Sequence, residues 1–304
     1  VLPYGDRELI KGFIINKFRG DVSLFDEGYE FIKSQTNWHG FGVLPFFEDA
    51  WRLPAEDALD IKSEKAIGSS QRKIACLCLS RMANFDDLDP LSQEEEVELV
   101  MIHAGQVIPV DVDLVIIPGS KSTIDDLKFL RDQGWDIDLK AHYRRGGYIL
   151  GICGGYQMLG TKIYDPDGLE GGAGETDGLG LLQVETVMRA RKTLRAVSAF
   201  HVETSLEIKG YEIHLGESRG DDCIRPFAII EERADGASSI DGRVQGSYVH
   251  GLFSQDNFRK KFLHSLGISV KGFSYDVEIE QTLDRLADHI ETYIDVDQIF
   301  SLAR

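Results

Sequence analysis

Residues 150–160 read Leu-Gly-Ile-Cys-Gly-Gly-Tyr-Gln-Met-Leu-Gly, and this stretch decides the fold. The apolar run that ends at Ile152 predicts a buried strand, and the residues after the double glycine predict a helix. Cys153 then lies at a sharp turn from strand to helix, where glycine neighbours permit a strained backbone and leave the side chain exposed above the sheet. The pattern indicates a nucleophilic cysteine, although an isolated cysteine is more often a small core residue.

The segments around this turn alternate between strand and helix. Strands are predicted at 97–102, 113–117 and 147–152, and helices at 123–131, 255–266 and 277–294. Alternation of this kind is typical of an α/β fold whose mostly parallel sheet is covered on both faces.

The chain is long enough for more than one domain. Residues 12–16 and 42–45 predict two further strands, and the polar residues 61–72 predict a linker. We therefore predict the end of another α/β domain at 1–60, the linker at 61–72, the main domain at 73–266 and a helical tail at 267–304. Because the chain opens at Val1 without a methionine, and its first strand-like segment resembles the middle of a domain, we expect it to be a fragment.

Composition excludes several classes of function. A formal net charge of −18 argues against nucleic-acid binding, which needs clustered Lys and Arg. The four cysteines form no Cys-x-x-Cys pair, so no cysteine-rich metal site is predicted. No apolar run is long enough to cross a membrane, and no secretory signal opens the chain, so we expect a cytoplasmic protein.

A thiol nucleophile needs a base, and His250 is the best candidate because it ends a β-rich segment and precedes a glycine. His214 is the one rival. Backbone N–H groups of Gly119 or Ser120, which follow a buried strand, are predicted to hold an oxyanion. A nucleotide-binding reading of the Ser-Lys-Ser that follows Gly119 fails, since the glycines of a phosphate loop are missing. Further oxyanion-hole or substrate-binding candidates lie at the start of the predicted helix: Gly154, Tyr156 and Gln157.

With Cys153, His250 and Gly119 in this arrangement, the sequence resembles the class I glutamine amidotransferases, in the branch found in cobyric acid synthases. The resemblance covers most of residues 73–266 and implies a flavodoxin-like domain that hydrolyses glutamine. It is carried by five stretches: 80–91, 118–123, 151–160, 210–214 and 248–253.

Residues 12–21 and 42–57 resemble the last part of the ATP-dependent synthetase domain of the same family, a P-loop-type α/β domain. In that comparison Asn16 and Lys17 resemble an element that recognises the nucleotide base. The family's phosphate-binding loop is not in these 304 residues. We therefore expect this chain to bind no cofactor, whereas the full-length enzyme would use ATP and Mg²⁺.

The resemblance implies glutamine and a corrinoid, adenosylcobyrinic acid a,c-diamide, as substrates in cobalamin biosynthesis. Most class I amidotransferases carry a glutamate two residues after the histidine, where this chain has Leu252. A Cys–His dyad, or a third group from elsewhere in the chain, is implied. Arg189, Arg191, Lys192 and Arg195 form the densest cationic cluster, which suits either the corrinoid carboxylates or an ordinary solvated surface.

Three other functions remain open at this stage. The first is the a,c-diamide synthase of the same pathway, which the residues at 84–91 and 118–122 disfavour. A non-catalytic module on the same fold is disfavoured by the presence of both Cys153 and His250. A cysteine hydrolase with a related strand-to-helix turn is the third and weakest.

Overall fold

A computed structural model describes residues 4–54, 72–191 and 193–302 of the protein. The chain forms two compact units, one made of Val1–Leu53 and Val277–Arg304 and the other of Pro54–Asp276. Most of the predicted linker lies outside the described residues, and its last residue, Arg72, already belongs to a strand. The predicted tail divides at Asp276, so its last two helices belong mainly to the unit that contains the amino terminus.

The strands range from two to nine residues in length. In chain order they are β1 (Gly12–Phe18), β2 (His39–Pro45), β3 (Arg72–Leu77), β4 (Met82–Ala83), β5 (Val97–Ile102), β6 (Val112–Ile117), β7 (Gly119–Ser120), β8 (Tyr148–Ile152), β9 (Lys162–Asp165), β10 (Gly174–Asp177), β11 (Glu185–Val187), β12 (Thr193–His201), β13 (Glu207–His214), β14 (Glu217–Arg219), β15 (Ala228–Ile230), β16 (Arg233–Asp235), β17 (Ala237–Ser238), β18 (Val244–Ser247) and β19 (Val249–His250).

The helices are mostly short. They are α1 (Tyr4–Leu9), α2 (Asp26–Thr36), α3 (Asp89–Gln93), α4 (Thr123–Asp132), α5 (Trp135–Arg144), α6 (Gly154–Leu159), α7 (Asp256–Ser265), α8 (Tyr275–Tyr293) and α9 (Val296–Leu302). No helix in the described ranges has the length and apolar character needed to span a bilayer.

The second unit is built on a six-stranded sheet in the order β17-β18-β8-β6-β3-β5. Its strands run parallel except for β17 at the edge. Four successive residues of β3, from Ile74 to Leu77, are fully buried, as expected of a strand covered on both faces. The predicted α/β fold with a mostly parallel sheet is confirmed.

Parallel strands bring their carboxyl ends to one edge of the sheet, which is where open α/β folds bind ligands. The segments after β3, β6, β8 and β18 therefore meet at this edge. Three smaller sheets belong to the same unit in its described residues. They are an antiparallel sheet in the order β16-β15-β12-β13-β19, a four-stranded sheet in the order β10-β9-β11-β14, and the antiparallel pair β4-β7.

The first unit pairs β1 with β2 in parallel and includes α2. Its carboxyl-terminal part is attached to β2 and the turn after it. The backbone N–H of Asp295 donates to the Phe41 carbonyl at 2.8 Å, and the His289 ring lies 3.0 Å from the Pro45 carbonyl. Arg285 pairs with Asp49 at 3.1 Å. These contacts link α8 to the amino-terminal strands.

Candidate active site

Cys153 occupies the turn between β8 and α6 with φ 53° and ψ −108°. Positive φ is uncommon for a residue with a side chain, and it places the strain on the cysteine itself. The following glycines serve a different need, because a Cβ on Gly155 would lie 2.0 Å from the Ile117 carbonyl oxygen. A Cβ on Gly154 would approach the Ser120 backbone nitrogen to 3.1 Å. The double glycine thus lets α6 pack directly on the end of β6.

The His250 imidazole is fully buried at the end of β19. Its Nδ1 lies 2.7 Å from Oδ2 of Asp87, a carboxylate that is also buried. The other oxygen of Asp87 accepts the Gly251 backbone N–H at 2.6 Å. Asp87 therefore holds both the ring and the backbone that follows it.

The second nitrogen of the ring, Nε2, is buried and has no hydrogen-bond partner among the described residues. Burial alone would lower the pKa of His250, but the charge and hydrogen bond of Asp87, together with the nearby Cys153 thiol, raise it well above its usual value. The phenol of Tyr211 stacks on the imidazole with ring centres 5.2 Å apart. The ring is fixed on one side and free to exchange a proton on the other.

Asp87 was missed at the level of the sequence. It lies in a short 3₁₀ turn, Phe85–Asp87, that follows β4. Leu252, at the position of the usual glutamate, is fully buried in the core. The only signal for a substitute carboxylate was the presence of several aspartates in residues 84–91, and nothing in their spacing distinguishes Asp87 from Asp86.

A pocket of about 400 Å³ opens at Cys153. Lys121 and Glu170 line it with opposite charges, and Glu170 accepts the Ile124 backbone N–H at 2.9 Å. The Gln157 side chain forms part of the wall, where it accepts from the Thr123 hydroxyl at 3.0 Å. The pocket has the size and the two charges that suit a small zwitterion.

Of the two residues predicted to hold an oxyanion, Ser120 lines this pocket, whereas Gly119 pairs with Ala83 of β4 beside it. The roles of both stay predictions. A Cβ on Gly119 would come within 2.9 Å of Cε1 of His250, so glycine permits the imidazole to sit close to this backbone. The Ser120 hydroxyl donates to Asp126 at 2.6 Å and is therefore engaged within the protein.

Tyr156 does not line the pocket at Cys153. Its ring is buried on the other side of α6, where its hydroxyl lies 3.8 Å from the Cys223 sulfur and burial raises the pKa of the phenol. It lines a second, larger cavity instead.

His214, the rival base, has a different environment from His250. Its Nδ1 lies 3.0 Å from the Gly216 carbonyl, and its ring stacks on Tyr248 at 3.9 Å. The Cys153 thiol donates to the carbonyl of the preceding residue, Ile213, at 3.3 Å. The Nε2 of His214 lies 3.7 Å from Glu212, a carboxylate that also accepts from Arg195 and Arg233. His214 thus forms a wall of the pocket, whereas His250 has Asp87 at a close hydrogen-bond distance of 2.7 Å, as a catalytic histidine needs.

The remaining candidates lie apart from this pocket or outside the described residues. Asn16 and Lys17 are exposed on β1 in the first unit, where the Asn16 side chain accepts the Lys17 backbone N–H at 2.8 Å. Arg189, Arg191 and Arg195 line the second cavity, and Lys192 is not described. Within the described residues, no group of His, Cys, Asp and Glu side chains is placed to hold a metal ion.

A parallel α/β sheet with a strained cysteine at a strand-to-helix turn, facing a buried histidine, is the fold of a class I glutamine amidotransferase. The chain belongs to the family with the CobB/CobQ-like glutamine amidotransferase domain, whose sequence model matches residues 73–258.

Among curated proteins, a cobyric acid synthase of Rhodobacter capsulatus is 60% identical over all of this chain, which spans 63% of that relative's length. A cobyric acid synthase of Bradyrhizobium diazoefficiens is 59% identical over all of this chain, and the chain again spans 63% of the relative. One from Mesorhizobium japonicum is 52% identical with similar coverage, 62% of its length.

Proposed function

We propose that this chain releases ammonia from glutamine as the glutaminase part of a cobyric acid synthase, with Cys153 as nucleophile and His250 as the proton-transfer group. The observation that carries the proposal is the buried His250–Asp87 pair, 2.7 Å apart, at the same sheet edge as the strained Cys153 turn. The names of the relatives support the choice of cobyric acid synthase over the a,c-diamide synthase.

The proposed reaction begins with attack of the Cys153 sulfur on the side-chain amide carbon of glutamine, while the thiol proton passes to Nε2 of His250. The carbon–nitrogen bond then breaks, the imidazolium protonates the leaving nitrogen as ammonia, and a thioester remains. Water attacks the thioester, again with His250 as proton acceptor, and glutamate leaves with the thiol restored. Backbone N–H groups at Ser120, which lines the pocket, and at Gly154 would hold the negative oxygen of each tetrahedral intermediate.

Asp87 has a positioning role in this scheme. A proton on Nδ1 of His250 is donated to Asp87, which leaves Nε2 as the acceptor directed at the thiol. The carboxylate also stabilises the imidazolium that forms in each half of the reaction. The buried environment strengthens both effects because water does not screen the charges.

We expect Glu170 to recognise the α-ammonium group of glutamine, opposite Lys121 for the α-carboxylate. Glu170→Gln keeps an oxygen that can accept the Ile124 N–H but removes the charge, so KM for glutamine should rise about tenfold or more with kcat nearly unchanged. Steady-state assay of glutamate release measures both constants. The matched control is Glu175→Gln, since Glu175 is exposed on β10 and pairs with Lys162. Equal KM values for wild type and Glu170→Gln would contradict this assignment.

The test of the proposed function is selective labelling by 6-diazo-5-oxo-norleucine, a glutamine analogue that alkylates an attacking thiol. Peptide mass spectrometry should find the label on Cys153 and none on the other three cysteines. Burial raises the pKa of Cys78 to about 11 and also raises those of Cys76 and Cys223, so these thiols are poor nucleophiles at neutral pH. Glutamine should protect Cys153 from the label. Labelling elsewhere, or none at all, would argue against a glutaminase.

We further propose that the whole protein uses ATP and Mg²⁺ to amidate corrinoid carboxylates with this ammonia. We expect that the residues present here do not form an ATP site by themselves. The sequence has no glycine-rich phosphate loop, and in the described part of the first unit Asn16 and Lys17 are exposed side chains that could contact only the base. The residues at Cys153 act on glutamine alone.

A further inference from the structure

A second cavity of about 810 Å³ lies in the same unit as the Cys153 pocket and has about twice its volume. We call it the arginine cleft, because five arginines line it: Arg189, Arg191, Arg195, Arg219 and Arg233. In a chain whose formal net charge is −18, such a concentration of guanidinium groups is a local exception. Arginine clusters of this kind suit carboxylates and phosphates, which they bind with two hydrogen bonds each.

Two of the five arginines are held in place by one buried carboxylate. Glu212 accepts from Nε of Arg195 at 2.7 Å and from Nη2 of Arg233 at 2.6 Å. Burial alone would raise the pKa of Glu212, but hydrogen bonds from His214, Arg195 and Arg233 lower it to about 2. Glu212 is therefore ionised at neutral pH, and it orients two guanidinium groups that keep further donors for a ligand.

The other three arginines are only loosely paired. Arg189 and Arg219 lie 3.8 and 3.5 Å from the same oxygen of Glu217, and Arg191 forms no ion pair within the described chain. With Asp235 counted as ionised, five arginines face three carboxylates, those of Glu212, Glu217 and Asp235. The cleft keeps a net positive charge even in that case.

Asp235, in the wall of the cleft, adds a second requirement, which is that the ligand should supply a hydrogen-bond donor. One of its oxygens accepts from the Ser247 hydroxyl at 2.6 Å and from the Tyr248 backbone N–H at 3.3 Å. The other oxygen is buried and has no hydrogen-bond partner among the described residues. Leaving a buried acceptor unpaired is costly, so a ligand that donates an N–H or O–H here would be favoured.

The cleft adjoins the pocket at Cys153, with which it shares a lining residue. His214 lines both cavities, and Tyr248, which stacks on it, lines the cleft. A ligand in the cleft would therefore lie next to the place where ammonia is released under the proposed function.

We propose that the arginine cleft binds a small-molecule polycarboxylate that also carries primary amide groups, with its carboxylates on the arginines and an amide N–H on Asp235. A partly amidated acceptor has this chemistry, so the inference rests on the proposed function and assigns the acceptor a docking site beside the glutaminase pocket. The cleft's volume and its mixture of donors and one orphan acceptor distinguish this ligand from a simple inorganic anion.

The test is equilibrium dialysis with two coloured probes that share a macrocycle. Dicyanocobyrinic acid a,c-diamide carries free carboxylates and two amides, whereas dicyanocobinamide has its carboxylates converted to amides. We expect the acid to bind at least tenfold more tightly than the neutral probe, with an affinity that falls as salt is added, because exposed charges are screened. Equal affinity for the two probes, or binding of neither, would overturn the inference.

A pair of double variants locates the binding. Arg189→Ala with Arg191→Ala should weaken binding of the acid at least tenfold. The matched control is Arg144→Ala with Arg145→Ala, two exposed arginines at the end of α5, at the opposite edge of the sheet. All four side chains are exposed, so both double variants should unfold at the wild-type temperature. Unchanged affinity in the first variant, or an equal loss in the control, would place the probe elsewhere.

The two proposals fail separately. Normal probe binding by a wild-type chain that releases no glutamate would contradict the glutaminase and leave the cleft's assignment standing. Active hydrolysis without preference for the acid probe would contradict the cleft alone.

Discussion

Replacement of Cys153 by alanine is expected to lower the rate of glutamine hydrolysis by at least about 10⁴-fold, because no other group can form the thioester. Cys153→Ser should be similarly inactive, since a serine hydroxyl is a weaker nucleophile than a cysteine thiol. Both changes keep a Cβ at a position whose side chain is small, so the fold should survive. Glutamate release, measured beside the thermal unfolding midpoint, separates the loss of chemistry from the loss of structure.

Cys223→Ala is the matched control for this prediction. Cys223 is a half-buried thiol at the arginine cleft, and its removal should leave hydrolysis near the wild-type rate. In a longer protein that performs the amidation, Cys153→Ala should still accept free ammonium salts as the nitrogen source. Substantial glutamine hydrolysis by Cys153→Ala would show that the nucleophile has been misassigned.

Asp87→Asn is expected to lower kcat for glutamine hydrolysis by about 10²- to 10⁴-fold. This is the range expected when a proton-transfer histidine loses the carboxylate that orients it. An asparagine can donate to Nδ1 and so favour the wrong tautomer of His250. It also removes the charge that raises the pKa of the imidazole. The ring should then lose its proton at a lower pH, and because the neutral ring accepts the thiol proton, the acidic limb of the pH–rate profile should move to lower pH.

Asp86→Asn removes the same charge one residue earlier and serves as the control. The Asp86 carboxylate accepts from the Tyr211 hydroxyl at 3.2 Å rather than from His250. Its loss should lower kcat by less than about tenfold and should move the acidic limb little. Equal effects at the two positions would mean that the general negative charge matters and the hydrogen bond to His250 does not.

The parallel sheet could be predicted because its strands carry their own signal. β5 occupies the predicted residues, and β6 extends the prediction by one residue, since a strand buried on both faces is a continuous apolar run. α5 was not predicted. Its opening residues, Trp135 to Leu139, alternate between apolar and polar, which resembles a strand more than a helix.

A residue of the site could be predicted when its neighbours in the sequence carry the signal. Cys153 is marked by the glycines beside it, and His250 by its position at the end of a strand. Asp87 and His250 are 163 residues apart in the chain, so their contact follows from the way the sheet edge is assembled and from no local pattern. Tyr156 illustrates a different limit, because a rotation of about 100° per residue separates it from Gln157 on α6 and sends it to the other cavity.

The strained backbone of Cys153 brings selection for stability and selection for catalysis into conflict. Its φ of 53° with ψ of −108° carries a conformational penalty of roughly 1–3 kcal/mol, a sizeable share of the ~5–15 kcal/mol by which domains are typically stable. Glycine at this position would relax the turn and remove the sulfur at the same time. Evolution toward higher thermostability and evolution toward catalysis therefore pull in opposite directions at this residue, and the other elements of the domain must compensate for the difference.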